Sequence, residues 1–370
     1  MKNRLFVDIH VIQTIPPSCV NRDDTGSPKT ATYGGAKRAR VSSQSWKKAV
    51  RDYFKERFDE SSLGIRTLSI VELVADRICA IDLSVQKEDA IEKANKVINE
   101  AGVKTGEKKK KGKDSDEKQI PMTGALFFIS TKQVDNLARL ALKGEYSKKE
   151  AQEALNKGHG VDTALFGRMV ADDPSLNADA SAQVAHSIST HKVDNEYDYY
   201  TAMDERSPAN NAGAGMIGTV EFNSSTMYRY ATVAVHDLFG QLENNEAATA
   251  KAVAEFVRAF ILSMPTGKQN TFANRTVPDA VFISVRNDQP VNLVAAFESP
   301  VYPNRTTGGY VADSIARLVK EENESCSTFV SVPEKTWQIG SGLEALGPST
   351  DVERATDEIE KFIHGELSAW

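Results

Sequence analysis

The segment Tyr33–Phe58, with the sequence YGGAKRARVSSQSWKKAVRDYFKERF, contains the strongest local signals in the chain. Its first nineteen residues include six lysines and arginines and no acidic residue. Apolar residues then recur at helical spacing, which predicts a helix with one face in the core. These residues are Trp46, Val50, Tyr53, Phe54 and Phe58. Ser42 or Ser43 is a suitable N-cap for that helix, and Gly34 and Gly35 just before it permit close approach of the backbone.

The start of this predicted helix has the composition of an anion-binding site. Unpaired N–H groups and a partial positive charge at a helix N-terminus bind phosphates, and side-chain donors surround it here. The candidate ligands are Lys37, Arg38, Arg40, Ser42, Ser43, Gln44, Ser45, Lys47, Lys48 and Arg51. A solvated basic helix start has the same pattern, so the residues alone leave both interpretations open.

The composition narrows the class of protein. A chain of 370 residues can hold more than one structural unit, and its mean hydropathy of −0.40 without a long apolar run predicts no membrane span. No signal peptide is visible, which predicts a cytoplasmic protein. The net charge of −6 argues against a surface that is basic throughout, but it allows a basic groove, because phosphate affinity follows local charge.

Working outward from the basic helix, the chain predicts an α+β fold. A strand over 5–14, a long loop over 18–36 and the basic helix are followed by a helical segment over 61–180. Strands are then expected near 184–190, 226–232, 280–285 and 293–297, with helices over 247–264 and 311–320. Without the helical segment and a polar excursion over 193–223, the order becomes strand, helix, strand, strand, helix, strand. That order is ferredoxin-like or RRM-like, and such sheets are common nucleic-acid platforms.

The predicted organisation is therefore a palm interrupted by two insertions. The palm comprises residues 1–60, 182–192 and 224–370, the helical insertion (fingers) 61–181, and an extended β-hairpin (thumb) 193–223. The lysine-rich run Lys104–Lys118 is predicted to be a surface loop or a transient phosphate contact.

Three further groups of residues are candidates for ligand contacts. Tyr199, Tyr200 and Thr201 begin the polar excursion, where exposed aromatic rings could stack on bases or anchor the hairpin. Met169 follows a helical pattern, which favours a core position. The loop with Lys268, Gln269 and Asn270 lacks the spacing of a phosphate-binding P-loop and instead offers polar groups to a nucleic-acid backbone.

An enzymatic site is not evident in the sequence. The six histidines lack metal-site spacing, and His186 and His191 are predicted to be structural. Asp23 and Asp24 could in principle hold a divalent ion, which leaves a metal-dependent endoribonuclease as one alternative.

Several motifs together resemble the CasC family, which forms the repeated backbone of the type I-E Cascade CRISPR surveillance complex. The matching segments are Asn21-Arg22-Asp23-Asp24, the Gly-Gly…Arg-Val-Ser-Ser-Gln-Ser-x-Lys run, Leu165-Phe166-Gly167-Arg168-Met169, and Pro265-Thr266-Gly267-Lys268-Gln269-Asn270 with Arg275, Pro278 and Asp279 beyond. They extend from the first strand to about Asp279.

The resemblance implies a non-catalytic protein that polymerises along a guide RNA. Arg22 would join the basic residues in holding phosphates, and Met169 with the thumb pair Tyr199 and Tyr200 would interrupt base pairing at intervals. Its partners would be crRNA, further copies of itself, the target DNA strand through guide pairing, and the large, small, 5′-end-capping and repeat-processing endoribonuclease subunits. It implies no cofactor, no metal and no catalytic residue. A generic single-strand-binding protein outside any CRISPR system remains a second alternative.

Overall fold

In the computed structural model, which describes residues 3–106, 120–170, 172–202, 216–306 and 308–370, the chain is built on one long antiparallel sheet. The strands are β1 (Phe6–Ser18), β2 (Thr30–Tyr33), β3 (Ala36–Val41), β4 (Gly64–Thr67), β5 (Thr105–Gly106), β6 (Met122–Thr123), β7 (Phe127–Ser130), β8 (Ala182–Val184), β9 (Ser187–Ser189), β10 (Glu196–Ala202), β11 (Met216–Ala234), β12 (Ala280–Arg286) and β13 (Lys335–Gly340).

Helices cover the sheet and form a separate unit beside it. They are α1 (Ser43–Phe54), α2 (Ile70–Ile81), α3 (Lys87–Glu100), α4 (Thr131–Lys143), α5 (Lys148–Asn156), α6 (Val161–Phe166), α7 (Val235–Gln241), α8 (Glu246–Leu262), α9 (Gln269–Phe272), α10 (Val311–Thr328) and α11 (Val352–Ser368). None of the helices in the described ranges is both long enough and apolar enough to cross a bilayer.

β1 is an inner strand of the sheet, and both of its edges are paired. It runs antiparallel to β11 on one side and to β12 on the other, and the full order is β13-β12-β1-β11-β9-β3-β2, with β8 also paired to β11. The order β12-β1-β11-β8 and the helices α1 and α8 between those strands are the ferredoxin-like arrangement. The predicted α+β fold class is confirmed.

Both faces of this sheet are covered. Val7, Ile9 and Val11 of β1 point to the core formed with α1, α8 and α11, as the two-residue alternation of a strand requires. The opposite face packs against α10 and the segment 293–301, and the tyrosines Tyr228 and Tyr230 are buried there. The sheet face that an RRM offers to nucleic acid is therefore occupied by the protein itself, which excludes it as the binding platform in this conformation.

The helical unit between α1 and β8 has its own core. Apolar residues of α2, α3, α4 and α5 pack together with β7. β4 pairs with β7, so residues 64–67 are a strand and not part of a helix as predicted. The helical pattern before Met169 ends at Phe166, the last residue of α6.

The predicted thumb is an extended hairpin. β10 pairs with the first part of β11 from Glu196–Phe222 to Ala202–Met216. β11 then continues into the main sheet, so one strand of 19 residues joins the thumb to the palm. The hairpin tip, and the run Lys104–Lys118 apart from its first three residues, lie outside the described residues.

Three other predictions differ from the structure. Residues 18–36 are not one loop, because β2 and β3 form a hairpin across the Gly34–Gly35 turn. The expected strand near 184–190 is split into β8 and β9. Leu293–Phe297 is a 3₁₀ turn whose start is capped by the Asn292 side chain, and not a strand.

Candidate nucleic-acid interface

The N-terminus of α1 is open to ligands. Ser42 occupies the N-cap position, but its hydroxyl contacts Ser45 Oγ at 3.2 Å instead of capping a backbone N–H. The first turn contains no acidic residue. Gln44 is exposed and Ser43 is half-buried. The partial positive charge of this helix end is therefore not offset from within the helix.

Two contacts fix this helix end to the rest of the protein. Trp46, which is fully buried, donates its indole N–H to Ser187 Oγ at 2.8 Å. The Asn21 side chain accepts a hydrogen bond from the Ser42 N–H at 2.9 Å. The second contact brings the Asn21-Arg22 segment to the start of α1, although Asn21 and Ser42 are 21 residues apart in sequence.

The glycine pair before β3 forms the hairpin turn. Gly34 and Gly35 have φ angles of 55° and 70°, in the left-handed region that two-residue hairpin turns need. A Cβ on Gly34 would collide with the Glu298 carbonyl oxygen. The turn presents Lys37 on the exposed side of β3.

Arg40 lies beside a second cation and a histidine. Its side chain donates to the Thr30 carbonyl and contacts His186 Nδ1 at 3.0 Å. Burial, together with Arg40 and Lys29, lowers the pKa of His186. Lys29 was missed by the sequence analysis because it lies in the segment that was predicted to be a loop.

Arg38 does not lie at the surface. It is fully buried and donates to the carbonyl oxygens of Ser189, Phe297 and Glu298, with distances of 2.8 to 3.2 Å. A guanidinium bound to several backbone carbonyls holds the β2–β3 hairpin against the sheet. In this structure Arg38 has a structural role, and its buried guanidinium is not accessible to a phosphate.

The three cations of α1 have different surroundings. Lys48 pairs with Asp52 at 2.5 Å at an exposed position. Arg51 pairs with the buried Asp162 at 3.0 Å and lies 4.4 Å from the centre of the Phe128 ring, which ties α1 to the helical unit. Lys47 has no ion pair with any described residue, and its ammonium lies 5.7 Å from the Phe166 ring centre. Burial lowers the pKa of Lys47. Because no described carboxylate pairs with Lys47, an anion placed there would not have to displace a protein partner.

Arg66 extends this surface onto the helical unit. It is exposed on β4, and its guanidinium lies 5.0 Å from the centre of the Phe128 ring that Arg51 also contacts. The pKa of Arg66 is lowered by burial and by Arg51. Arg66 is not among the residues predicted from sequence, because a single arginine in a segment predicted to be helical does not indicate a ligand site.

On the other side of the α1 start, the loop after α8 packs against the Cys19–Arg22 segment. A cleft between them is lined by Arg22, Thr266, Gly267 and Lys268. Any side chain at Gly267 would collide with the Val20 carbonyl oxygen, so glycine is needed for this contact. Gln269 and Asn270 are exposed beyond it.

The backbone of this loop is strained. Lys268 and Ala273, at the two ends of the single turn α9, both have left-handed φ angles, 51° and 46°. Left-handed backbone in residues other than glycine is uncommon and often marks functional sites. The Asn274 side chain, which is buried, donates to the Gly267 carbonyl at 3.1 Å and holds the turn.

Together these elements place cations and polar donors around the start of α1. We use the name basic track for the set Arg66, Lys47, Ser43, Gln44, Arg22 and Lys268. Its donors are guanidinium, ammonium, amide and hydroxyl groups, which can bind the phosphates of a nucleic acid. Contacts to phosphates do not depend on the nucleotide sequence.

The thumb aromatics do not form one pair. Adjacent residues of a strand point to opposite faces, and the Tyr200 ring lies over Gly218, where a Cβ would meet it. Tyr199 shares its face with Tyr197 and Thr201. Tyr197 and Tyr199 are 67% and 64% exposed, so these two rings lie exposed on one face of the hairpin. A stacking role for Tyr199 and Tyr200 stays a prediction.

Met169 is not a core residue. It is 83% exposed, in contrast to the position that its helical pattern favoured. The neighbouring Arg168 is buried and donates to the Leu176 carbonyl, and burial lowers its pKa to about 10. Arg168 therefore fixes the backbone that presents Met169 to solvent.

Asp23 stabilises its own loop. Its Oδ1 accepts hydrogen bonds from the Thr25 N–H, the Thr25 hydroxyl and the Ser27 N–H at 2.7 to 3.0 Å, and these bonds, led by the Thr25 hydroxyl, lower the pKa of Asp23. Within the described ranges, no group of three or more His, Cys, Asp or Glu side chains is placed to hold a metal ion. The metal-dependent alternative is not favoured.

Comparisons with known proteins cover nearly the whole chain. A family model described as CT1975-like protein matches residues 7–364. A chain from a structure described as "CRISPR RNA-guided surveillance complex, pre-nicking" is similar with 34% identity and a TM-score of 0.80, covering 98% of this chain and 99% of that chain. A chain from a "CRISPR RNA-guided surveillance complex" has 29% identity and a TM-score of 0.71, with 99% and 100% covered. No curated protein matched the sequence.

Proposed function

The chain belongs to the family of CT1975-like proteins, and we propose that it is the crRNA-binding backbone subunit of a type I-E Cascade surveillance complex. The observation that carries this proposal is the end-to-end similarity to chains of CRISPR RNA-guided surveillance complexes. The open basic track supports it, because a subunit that accepts any guide must bind phosphates and not base edges.

In this proposal the protein is a scaffold and not a nuclease. Copies of the chain line up along one crRNA, each holding a segment of backbone on its basic track. The target DNA strand is then read by base pairing. The remaining partners are the large, small, 5′-end-capping and repeat-processing subunits. The use of Asp23 for loop hydrogen bonds supports a structural role for that carboxylate.

The test is the mass of the purified protein mixed with single-stranded RNAs of increasing length, with RNA integrity measured in the same samples. We expect the mass to rise in steps of one chain as the RNA lengthens, while the RNA remains intact. Shortened RNA that becomes intact when Asp23 and Asp24 are both changed to asparagine would instead establish a nuclease. A mass that does not change with RNA length would contradict the backbone role.

A matched pair of variants separates the basic track from charge in general. Arg22→Ala with Lys268→Ala removes two cations from one cleft of the track. Arg354→Ala with Lys361→Ala removes two exposed cations from α11. We expect only the first pair to shift the stepwise assembly to higher protein concentration. Equal effects of the two pairs would show that net charge, and not the track, holds the RNA.

A further inference from the structure

Three basic side chains lie together at the end of β3, just before the N-cap of α1. They are Lys29, Arg40 and His186, which we call the histidine cluster. Arg40 Nη1 lies 3.0 Å from His186 Nδ1, and the Arg40 N–H donates to the Lys29 carbonyl at 2.9 Å. None of the three belongs to the basic track, so the cluster is a separate candidate for binding an anion.

The histidine cluster has no counter-ion. Within the described ranges, none of its side chains forms an ion pair with a carboxylate. The charged groups that face His186 are Arg40, on β3, and Lys29, the residue before β2. All three residues are exposed or half-buried, so a ligand can reach them. Basic groups held together in this way attract an anion with several acceptor oxygens, such as a phosphate.

The hydrogen bond inside the cluster defines the state of the imidazole. A guanidinium has no acceptor, so Arg40 is the donor and His186 Nδ1 is the acceptor. The ring is therefore neutral, with its proton on Nε2. Partial burial and the two neighbouring cations lower the pKa of His186, which agrees with a neutral ring. A protonated ring could not accept from Arg40, and its Nδ1–H would need an acceptor of its own.

The cluster is fixed to the start of α1 by its neighbours in sequence. Ser187, which follows the histidine, accepts the indole N–H of Trp46. The Asn21 side chain binds the Ser42 N–H, and the Asn21 carbonyl accepts from the Lys29 N–H at 2.8 Å. Because RNA carries a charged phosphate at each nucleotide, a strand bound at the start of α1 offers further phosphates to the cluster beside it.

We propose that the histidine cluster binds a phosphate of the RNA and that His186 takes up a proton as this phosphate binds. A phosphate oxygen replaces Nδ1 as the acceptor of the Arg40 hydrogen bond. Nδ1 gains a proton from the solvent and donates a hydrogen bond to the same phosphate, while Lys29 supplies a further positive charge. The proposal rests on the RNA-binding function proposed above, and it adds a dependence of RNA affinity on pH.

The direction of the pH dependence follows from the two states of His186. In the free protein its pKa lies below the usual value. A phosphate beside the ring raises the pKa, because an opposite charge favours the charged form. Binding therefore takes up a proton at pH values between the pKa of the free protein and that of the complex. The affinity for RNA rises as the pH falls through that interval, by about tenfold for each unit of difference between the two pKa values.

The test is calorimetric titration of the full-length protein with the shortest oligouridylate that forms a one-to-one complex, in phosphate-free buffers that differ in ionisation enthalpy. The dependence of the measured heat on the buffer gives the number of protons taken up. Uracil does not titrate in the range used, so these protons are bound by the protein. We expect an uptake of up to about one proton per chain between about pH 5 and pH 8, where histidine titrates, and tighter binding at the lower pH.

Two substitutions at the same position separate protonation from charge. His186→Gln keeps an acceptor for Arg40 but cannot be protonated, so we expect RNA binding without proton uptake and without a rise in affinity at acidic pH. His186→Lys is charged throughout the range, so we expect it to bind RNA at about pH 8 more tightly than the original protein does. His364→Gln is the matched control, because His364 is exposed on α11, and it should change neither property.

Three results would overturn the inference. The first is RNA binding that takes up no proton and does not change with pH, which leaves the RNA-binding function intact and makes His186 structural, as its sequence predicted. The second is proton uptake that persists in His186→Gln. The third is a folded His186→Gln protein that binds RNA at no pH, which would require a contact of the neutral ring.

Two further outcomes are distinguishable from these. If His186→Gln does not fold, His186→Lys decides, because binding at about pH 8 that is no tighter than that of the original protein contradicts the proposal. Absence of RNA binding by the original protein at every pH would contradict the proposed function itself.

Discussion

The protein contains two sets of lysine and arginine side chains that the sequence alone does not distinguish. One set is buried and stabilises the fold, and the other lies around the start of α1. Arg38, Arg229 and Arg286 are among its largest fully buried side chains, whereas Arg22, Lys37 and Lys47 lie at or near the surface around the start of α1. The buried set is bound to carbonyls, aromatic rings and carboxylates of the fold. The surface set has few protein partners.

Arg229 shows how a buried cation can serve the surface set. Its guanidinium stacks on the Trp46 ring at 3.8 Å and donates to the Gln13 side chain at 2.5 Å. Burial lowers its pKa to about 9. Because Trp46 anchors the first turn of α1, Arg229 helps to position the helix end at which the basic track is centred. The comparison shows that burial and partners, not residue type, decide which cation can bind a ligand.

The largest effect on stability is expected when Arg286, a member of the buried set, is replaced. Its side chain contacts Glu322 at 2.5 Å and Asp8 at 3.7 Å, and all three groups are buried. Arg286→Met would leave two carboxylates in the interior without their cation, which typically costs 3–5 kcal/mol in proteins, so we expect a loss of about 4 kcal/mol in the free energy of unfolding. Denaturant unfolding monitored by circular dichroism measures this loss.

The control is the same arginine-to-methionine substitution in an exposed ion pair. Arg354 pairs with Asp351, and the two side chains are 79% and 58% exposed. We expect Arg354→Met to cost less than about 1 kcal/mol, since solvent screens such pairs. Changing Glu322 to leucine in the Arg286→Met background should recover part of the loss. Similar losses at the two arginines would mean that burial does not separate the two sets.

Much of the fold could be predicted from sequence because its periodicities are local. The alternation in β1, the apolar face of α1 and the apolar pattern of α8 each occur within one continuous segment, and their order leads to the ferredoxin-like arrangement. Leu293–Phe297 was assigned to a strand because short apolar runs do not distinguish strand from turn. The Asn292 cap that starts this turn was a signal that was overlooked.

The candidate site was predictable only in part, because contacts between residues far apart in sequence decide which cations remain free to bind a ligand. The basic segment pointed to α1, but nothing near Arg51 reveals that Asp162, more than a hundred residues away, neutralises it. Arg38 was chosen for its neighbours in sequence, although its partners come from residues 189, 297 and 298. The Tyr33-Gly34-Gly35-Ala36 sequence is a local signal for a hairpin turn. A hairpin there pairs the residues before the turn with those after it, which places Lys29 beside Arg40.

A smaller expected effect concerns the pH dependence of the buried network. Burial raises the pKa of Asp8 from its usual 3.8 to about 6, so the folded state holds the proton more tightly than the unfolded state. The stability that Asp8 contributes is complete below its unfolded pKa and is lost as the pH rises through about 6. The difference of about 2 pH units corresponds to about 3 kcal/mol at most.

Asp8→Asn removes this titration and can keep the contacts. The amide oxygen can accept from the Val291 N–H, and the amide nitrogen can donate to the Tyr230 hydroxyl, as replacements for the two bonds of the carboxylate. Between about pH 4 and pH 7, we expect the unfolding free energy of the variant to rise relative to that of the original protein. Chemical denaturation across this pH range measures it. Parallel curves would show that Asp8 does not titrate inside the fold.

The smallest expected effect is the change in RNA affinity when Lys47, a member of the surface set, is replaced. Lys47→Met keeps an unbranched apolar side chain beside the Phe166 ring and removes the charge that no described carboxylate neutralises. We expect the affinity for single-stranded RNA to fall about tenfold, and the slope of log K against log salt to decrease by about 0.7, the value for one phosphate contact on a single strand. Fluorescence anisotropy at several salt concentrations measures both quantities.

Two variants on the same helix show whether pairing decides the outcome at Lys47. Lys55 is exposed at the end of α1 and pairs with Asp52, so Lys55→Met should leave RNA affinity unchanged. Arg51→Met should mainly lower the melting temperature, because it leaves the buried Asp162 without its cation. If Lys55→Met weakens RNA binding as much as Lys47→Met, or if Arg51→Met does so with an unchanged melting temperature, the existing ion pairs do not determine which cations of α1 hold phosphate. In that case RNA would compete successfully with Asp52 and Asp162 for their cations, and the division between structural and ligand-binding cations would apply only to the protein without RNA.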